Sequence, residues 1–198
     1  MNDKREKMKQ VRDDVFALEA SPLYAVRVAH KTFPVIGEGD HDARIMFIGE
    51  APGKNEAATG RPFVGASGKI LNELLESVSI AREKVYITNI VKDRPPQNRD
   101  PLPEEIDIYA PFLDRQIDII QPAVIATLGR FAMIYSMKKF GLEAQLEPIS
   151  KLHGREFTVQ ASYGPITLLP LYHPAVAVYN STTKDMLKED FKILKKYL

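Results

Sequence analysis

The chain contains no cysteine. That absence excludes disulfides, thiolate nucleophiles and zinc or iron–sulfur centres held by cysteine. It also lacks any apolar run long enough to span a bilayer, and its first residues, Met1 to Lys7, are charged and lead into no signal-peptide core. A soluble, cytoplasmic protein with no membrane partner is therefore expected. An excess of one charge is missing as well: 27 Lys and Arg against 26 Asp and Glu leave a net charge of +1. This argues against coating nucleic acid by bulk electrostatics, while leaving room for a local cationic patch. No histidines and carboxylates stand at a familiar metal-ligand spacing, and no internal repeat or low-complexity tract is present.

At 198 residues with 44% hydrophobic content, the chain can bury one good core, and a single domain over residues 1–198 is expected. Apolar runs of strand length recur at 44–48, 85–91, 124–128 and 166–171, with helical patterns at 68–78 and 103–120 separating the first three. Such alternation predicts an α/β fold, a parallel sheet with helices on both faces. Further helices are predicted at 130–139 and 184–197. Residues 1–43 read as a helix over 3–18 followed by an irregular segment through Pro22, Pro34 and Gly37, packing on the main domain.

Two of the strand-like runs end in motifs with chemical content. Gly49-Glu50-Ala51-Pro52-Gly53 closes the first and Tyr172-His173-Pro174-Ala175 the last, which would deliver a carboxylate and an imidazole to one edge of a parallel sheet, where α/β folds bind ligands. Glu50 alone could equally be an exposed turn residue, and His173 a core histidine. Gly60-Arg61-Pro62-Phe63-Val64-Gly65 places an aromatic between glycines, as a stacking surface or as a cap on a minor apolar cluster. Asn89 interrupts an apolar strand; a buried amide is costly unless paired, either by neighbouring backbone or by a ligand such as a pyrimidine edge. Residues 92–99, with Lys92, Arg94 and Arg99, form a proline-stiffened cationic loop, either solvated or facing phosphate.

In this order and register, the motifs at 49–53, 60–65, 86–92, 94–99 and 172–175 resemble those of the family 4 uracil-DNA glycosylases, and the match runs from about Ser21 to the C-terminus. The resemblance implies a three-layer α/β/α fold with a four-stranded parallel sheet, and a DNA-repair hydrolase that flips uracil out of DNA and cleaves its N-glycosidic bond. By the same resemblance Phe63 stacks on the base, Asn89 reads its Watson–Crick edge, His173 stabilises O2 of the departing anion, and Glu50 orients or deprotonates the attacking water. Gly49 and Ala51 offer backbone N–H groups to the base, and Glu56 crowds C5 against a thymine methyl. Lys92, Arg94, Arg99 and Ala175 face DNA, with Tyr179 or Asn180 filling the gap left by the flipped base.

Two departures stand out. Relatives carry an aspartate where this chain has Ala51, which makes Glu50 the nearest carboxylate for its duty. The four cysteines that hold a [4Fe–4S] cluster in the family correspond to Leu18, Ser21, Asp93 and Tyr109, so no cluster and no other cofactor is expected. Packing by Leu18 and Tyr109, with Asp93 paired to an arginine, would then fasten the region. A monomer acting on uracil-containing DNA is expected; the alternatives are a glycosylase for a wider set of deaminated bases, such as hypoxanthine or xanthine, and a non-catalytic binder of damaged or single-stranded DNA.

Overall fold

The computed structural model describes residues 2–198; Met1, part of the charged start, lies outside the described residues. Two helices open the chain, α1 (Asn2–Phe16) and α2 (Pro22–His30). The second falls where an irregular segment was expected. Ser21 caps it, its Oγ accepting from the Leu23 N–H at 3.1 Å, and Pro22 occupies the first turn. A proline there has a suitable φ and loses no hydrogen bond, so Pro22 starts a helix instead of breaking one.

The predicted strands and helices follow in the expected order, with further short elements among them that the apolar pattern had not marked. A two-residue strand β1 (Glu38–Gly39) precedes β2 (Ile45–Gly49), α3 (Lys54–Thr59) and α4 (Ala66–Ser77). Then come β3 (Tyr86–Asn89), α5 (Pro103–Ile120), β4 (Val124–Leu128) and α6 (Arg130–Lys139). A short α7 (Ile149–Leu152), the hairpin β5 (Phe157–Ala161) and β6 (Gly164–Leu171), and α8 (Ser181–Phe191) complete the chain. The predicted C-terminal helix is thus α-helical only to Phe191 and continues as a 3-10 turn over Lys192–Tyr197.

The sheet has six strands in the order β1-β3-β2-β4-β6-β5. Its four central strands are parallel, as expected, and the difference lies at the edges, where β1 and β5 pair antiparallel. Strand β5 was hidden because it is polar on alternate residues, with Phe157, Val159 and Ala161 buried and Thr158 and Gln160 exposed. The central strands are buried on both faces and read as continuous apolar runs.

Within β2 the side chains alternate. Ile45 and Phe47 join Leu71, Leu74, Leu187 and Phe191 under α4 and α8. Met46 and Ile48 join Leu113, Ile117, Met133 and Met137 under α5 and α6. These two clusters make the three layers, each fully buried leucine or isoleucine contributing roughly 1.5–3 kcal/mol. Helix α1 packs on α5, supported by an ion pair of 2.6 Å between Asp14 and Arg115.

Candidate active site

All four parallel strands run the same way, so Gly49, Asn89, Leu128 and Leu171 end at one edge of the sheet. Gly49 lies opposite Asn89 in the register. A Cβ at position 49 would come within 2.4 Å of Asn89 Oδ1 and 2.8 Å of the Phe63 ring, so glycine is what allows the amide and the aromatic to meet above β2. Glu50 follows at once, and His173 enters two residues after β6. The Phe63 and His173 rings face each other with centroids 5.7 Å apart, tilted by 31°.

These groups surround a cavity of about 360 Å³ whose walls include Glu50, Ala51, Glu56, Phe63, Asn89 and His173, together with Arg99 and Ala175. Phe63, 7% exposed, belongs both to the core cluster and to the pocket wall, so the two readings of its motif are compatible. Pro52, Gly53, Ser67, Pro95 and Asn98 also line the cavity. Pro52, Gly53, Pro95 and Asn98 belong to motifs already recognised, though none was named as a site residue; nothing in residue type or spacing singled out Ser67.

Among the described residues, no hydrogen bond reaches the side-chain amide of Asn89, although the residue is only 2% exposed; its backbone carbonyl is the group that accepts, from Lys92. His173 is oriented by the backbone, its Nδ1 accepting from the Ala175 N–H at 3.1 Å. That contact puts the proton of a neutral ring on Nε2, as a donor. Burial pushes the His173 pKa down to about 4, against a smaller opposing effect of Glu56. The imidazole is therefore neutral at physiological pH. Burial also pushes Glu50 up to about 7, helped by Asp100 and opposed by Arg130. Asp100 and Arg130 are themselves paired beside it.

Several expected site residues sit elsewhere or are committed to other work. Lys92, placed on the DNA-facing surface by its motif, is fully buried. Its Nζ donates to the Asn89 carbonyl (2.6 Å), Thr88 Oγ1 (2.8 Å) and Gln116 Oε1 (2.5 Å), so it braces the end of β3 and cannot reach phosphate. Burial lowers its pKa well below the usual lysine value. Glu56 accepts at one oxygen from the N–H groups of Val64 (2.9 Å) and Gly65 (2.8 Å). Arg94 is outside the cavity wall and bonds Asn98 Oδ1 at 2.6 Å. Arg99 reaches the wall while holding buried Glu105 through two bonds of 2.6 and 2.9 Å. Asn180 caps α8 through the Thr183 N–H at 3.0 Å, which leaves Tyr179, 98% exposed, as the free side chain of that turn.

Ser21, Asp93 and Tyr109, three of the four positions expected to stand where the family carries cluster cysteines, form a closed polar knot with Arg27. Tyr109 donates to Asp93 (2.5 Å) and shares a 2.8 Å hydrogen bond with Ser21. Arg27 pairs with Asp93 at 3.1 Å and donates to the carbonyls of Val15 (3.2 Å) and Phe16 (2.6 Å). Leu18 packs on Val15, Leu23, Val91 and Tyr109. The donor set is an aliphatic group, a hydroxyl, a carboxylate and a phenol around a guanidinium, and it does not fit an iron–sulfur cluster, which needs thiolates.

A family model described as the uracil DNA glycosylase superfamily matches residues 36–195. A type-4 uracil-DNA glycosylase of Sulfurisphaera tokodaii is 43% identical over 188 residues, covering 94% of this chain and 83% of that one. Another, from Saccharolobus solfataricus, is 47% identical over 83% of this chain and 76% of its own. A third, from Thermotoga maritima, is 38% identical over 100% of this chain and 98% of its own. With the motifs at the strand ends, these matches make the chain a member of the uracil DNA glycosylase superfamily.

Proposed function

We propose that this protein is a uracil-DNA glycosylase: it takes uracil out of the DNA stack, hydrolyses the bond between uracil N1 and the sugar, and leaves an abasic site. The reading is carried by one observation, the convergence of Glu50, Phe63, Asn89 and His173 on a single cavity at the strand ends. Type-4 relatives of that name support the substrate.

The flipped base stacks on Phe63 and presents its edge to Asn89, whose amide donates to O4 and accepts from N3–H. Cytosine offers the opposite pattern at both atoms. As the bond breaks, its electron pair leaves with N1 and negative charge spreads onto O2. The Nε2–H of neutral His173 donates to O2, a role that contributes about 3–4 kcal/mol in comparable oxyanion sites. Water adds to the sugar C1′ and gives a proton to the Glu50 carboxylate, whose charge also offsets the cationic sugar. N–H groups near Gly49 and Ala51 approach the base, and Glu56 borders the C5 side. Arg99, Arg94, Ala175 and Tyr179 meet the DNA around the mouth. The chain acts as one domain and as a monomer, in the cytoplasm, without a resident cofactor.

The test incubates the purified protein with oligonucleotides carrying uracil, hypoxanthine or thymine, and then cleaves abasic sites with alkali. Strand cleavage at uracil alone is expected. Cleavage at hypoxanthine would widen the substrate range, and tight binding without any cleavage would replace the enzyme by a DNA-binding protein.

A further inference from the structure

Phe63 is held in an unusual backbone conformation. Its φ is +50°, in the left-handed region that a bulky residue enters only at a cost of about 1–2 kcal/mol. Such a conformation persists where the surroundings impose it. On the C-terminal side, Glu56 takes the N–H groups of Val64 and Gly65. From below, α4 packs so closely that a Cβ on Gly68 would lie 1.9 Å from the Phe63 carbonyl oxygen. On the N-terminal side the peptide joining Pro62 to Phe63 is fixed by a residue that is not part of the cavity wall. Arg82, in the 3-10 turn before β3 (Arg82–Lys84), donates from Nη2 to the Pro62 carbonyl at 2.7 Å and from Nη1 to Asn72 Oδ1 of α4 at 2.9 Å. Beside it, Glu38 holds Arg61 through bonds of 2.6 and 2.8 Å, with Arg82 Nε 4.0 Å away.

The plane of the Pro62–Phe63 peptide constrains φ of Phe63, and φ helps set the direction of the Cα–Cβ bond that carries the ring. A planar guanidinium fork bonded at once to a helix side chain and to that carbonyl fixes the plane against α4. We propose that Arg82 is a positioning residue for the base-stacking ring, holding Phe63 over the cavity and beside His173 before any base arrives. The inference rests on the glycosylase reading, in which Phe63 stacks on the flipped base. Its functional content is preorganisation: a ring that need not be ordered on binding leaves more of the stacking energy for holding the flipped base.

A double-mutant cycle tests it. Steady-state excision of uracil is measured for wild type, Phe63→Ala, Arg82→Met and the double variant, with melting temperature and salt dependence of DNA binding alongside. Phe63→Ala is expected to lower kcat/KM about tenfold or more, the scale of a lost base–aromatic stack. Arg82→Met is expected to cost about three- to tenfold, mostly in KM, as loss of a preorganised contact should. In the Phe63→Ala background, Arg82→Met should add nothing. If its effect persists undiminished there, Arg82 does not act through Phe63 and the proposal is overturned; the same holds if only the melting temperature falls, or if the salt slope shows a lost phosphate contact. A near-normal Phe63→Ala would instead remove the stacking reading, and this inference with it. Should Arg82→Met not fold, Arg82→Lys, which keeps the cation but loses the fork, supplies the same cycle.

Discussion

At the pocket, the Asn89 amide and the Nε2 edge of His173 face a cavity without protein partners among the described residues. Four positions along the chain from Asn89, the Asp93 carboxylate is bonded to Arg27 and Tyr109, Tyr109 to Ser21, and Arg27 to two carbonyls at the end of α1. Asn89 and the Asp93–Tyr109–Arg27 group are buried, His173 is partly buried, and the two regions flank the same strand end. The Asn89 amide and the His173 Nε2 edge meet solvent through the open cavity, so leaving them unpaired costs little until a ligand displaces that water and must supply the partners itself. The knot spends its polar atoms on the protein, tying α1, α2, the loop after β3 and α5 together. The pocket leaves its own unspent, as the glycosylase reading requires.

If the knot is structural, breaking it should cost stability and little chemistry. Arg27→Met leaves the Asp93 carboxylate buried without its cation and is expected to destabilise the protein by about 3–5 kcal/mol, measured by denaturant unfolding. Its excision rate on bound substrate, well below the melting temperature, should stay within a few-fold of wild type. The purified protein should carry no stoichiometric iron by metal analysis. An Arg27→Met protein as stable as wild type would show that the ion pair is not the fastening.

The pocket should respond the other way. His173→Ala and Glu50→Gln are each expected to slow excision by about 100- to 1000-fold, the scale of a lost oxyanion donor or general base. Glu50→Gln should leave the melting temperature nearly unchanged, and His173→Ala should lower it only by the loss of one turn cap and the contact with Phe63. Near-normal rates for both would end the assignment. Asn89→Asp changes one donor into an acceptor and is expected to erode discrimination against cytosine by about 1–3 kcal/mol. Competition between uracil and cytosine oligonucleotides measures it.

The sequence made the pocket more legible than the knot, for a physical reason. Glu50, Phe63, Asn89 and His173 each sit at a strand end or between glycines, where polar or aromatic residues break an apolar pattern. The four parallel strands were legible because burial on both faces makes them continuously apolar. The knot offered no such contrast. Asp93 with an arginine could be anticipated only through the family resemblance, and Arg27 could not be named because α2 was hidden behind Pro22. Lys92 misled for a related reason: a lysine among arginines and prolines reads as surface, yet the carbonyl of Asn89 and the side chains of Thr88 and Gln116 give it a buried cradle. Thr88 and Asn89 are near neighbours in the chain, but the cradle closes only when α5 brings Gln116 over it, and that approach leaves no local pattern.

The smallest effect gives the sharpest comparison, because it concerns charge and not the presence of a group. In the proposed mechanism Glu50 acts as a carboxylate, and burial raises its pKa to about 7. Excision should therefore fall as pH drops below that value, by at most about tenfold per unit. His173, lowered to about 4, stays neutral over the same range and adds no second limb above pH 5 or so. Glu50→Gln should flatten the profile. Asp100 raises the Glu50 pKa and Arg130 lowers it, so Asp100→Asn should move the inflection down and Arg130→Gln should move it up. Both partners are largely exposed, so screening keeps each shift to a fraction of a unit. Opposite displacements in single-turnover pH profiles would tie the inflection to Glu50 itself. Parallel displacements, or none, would assign it to another group and leave Glu50 without its role as the base.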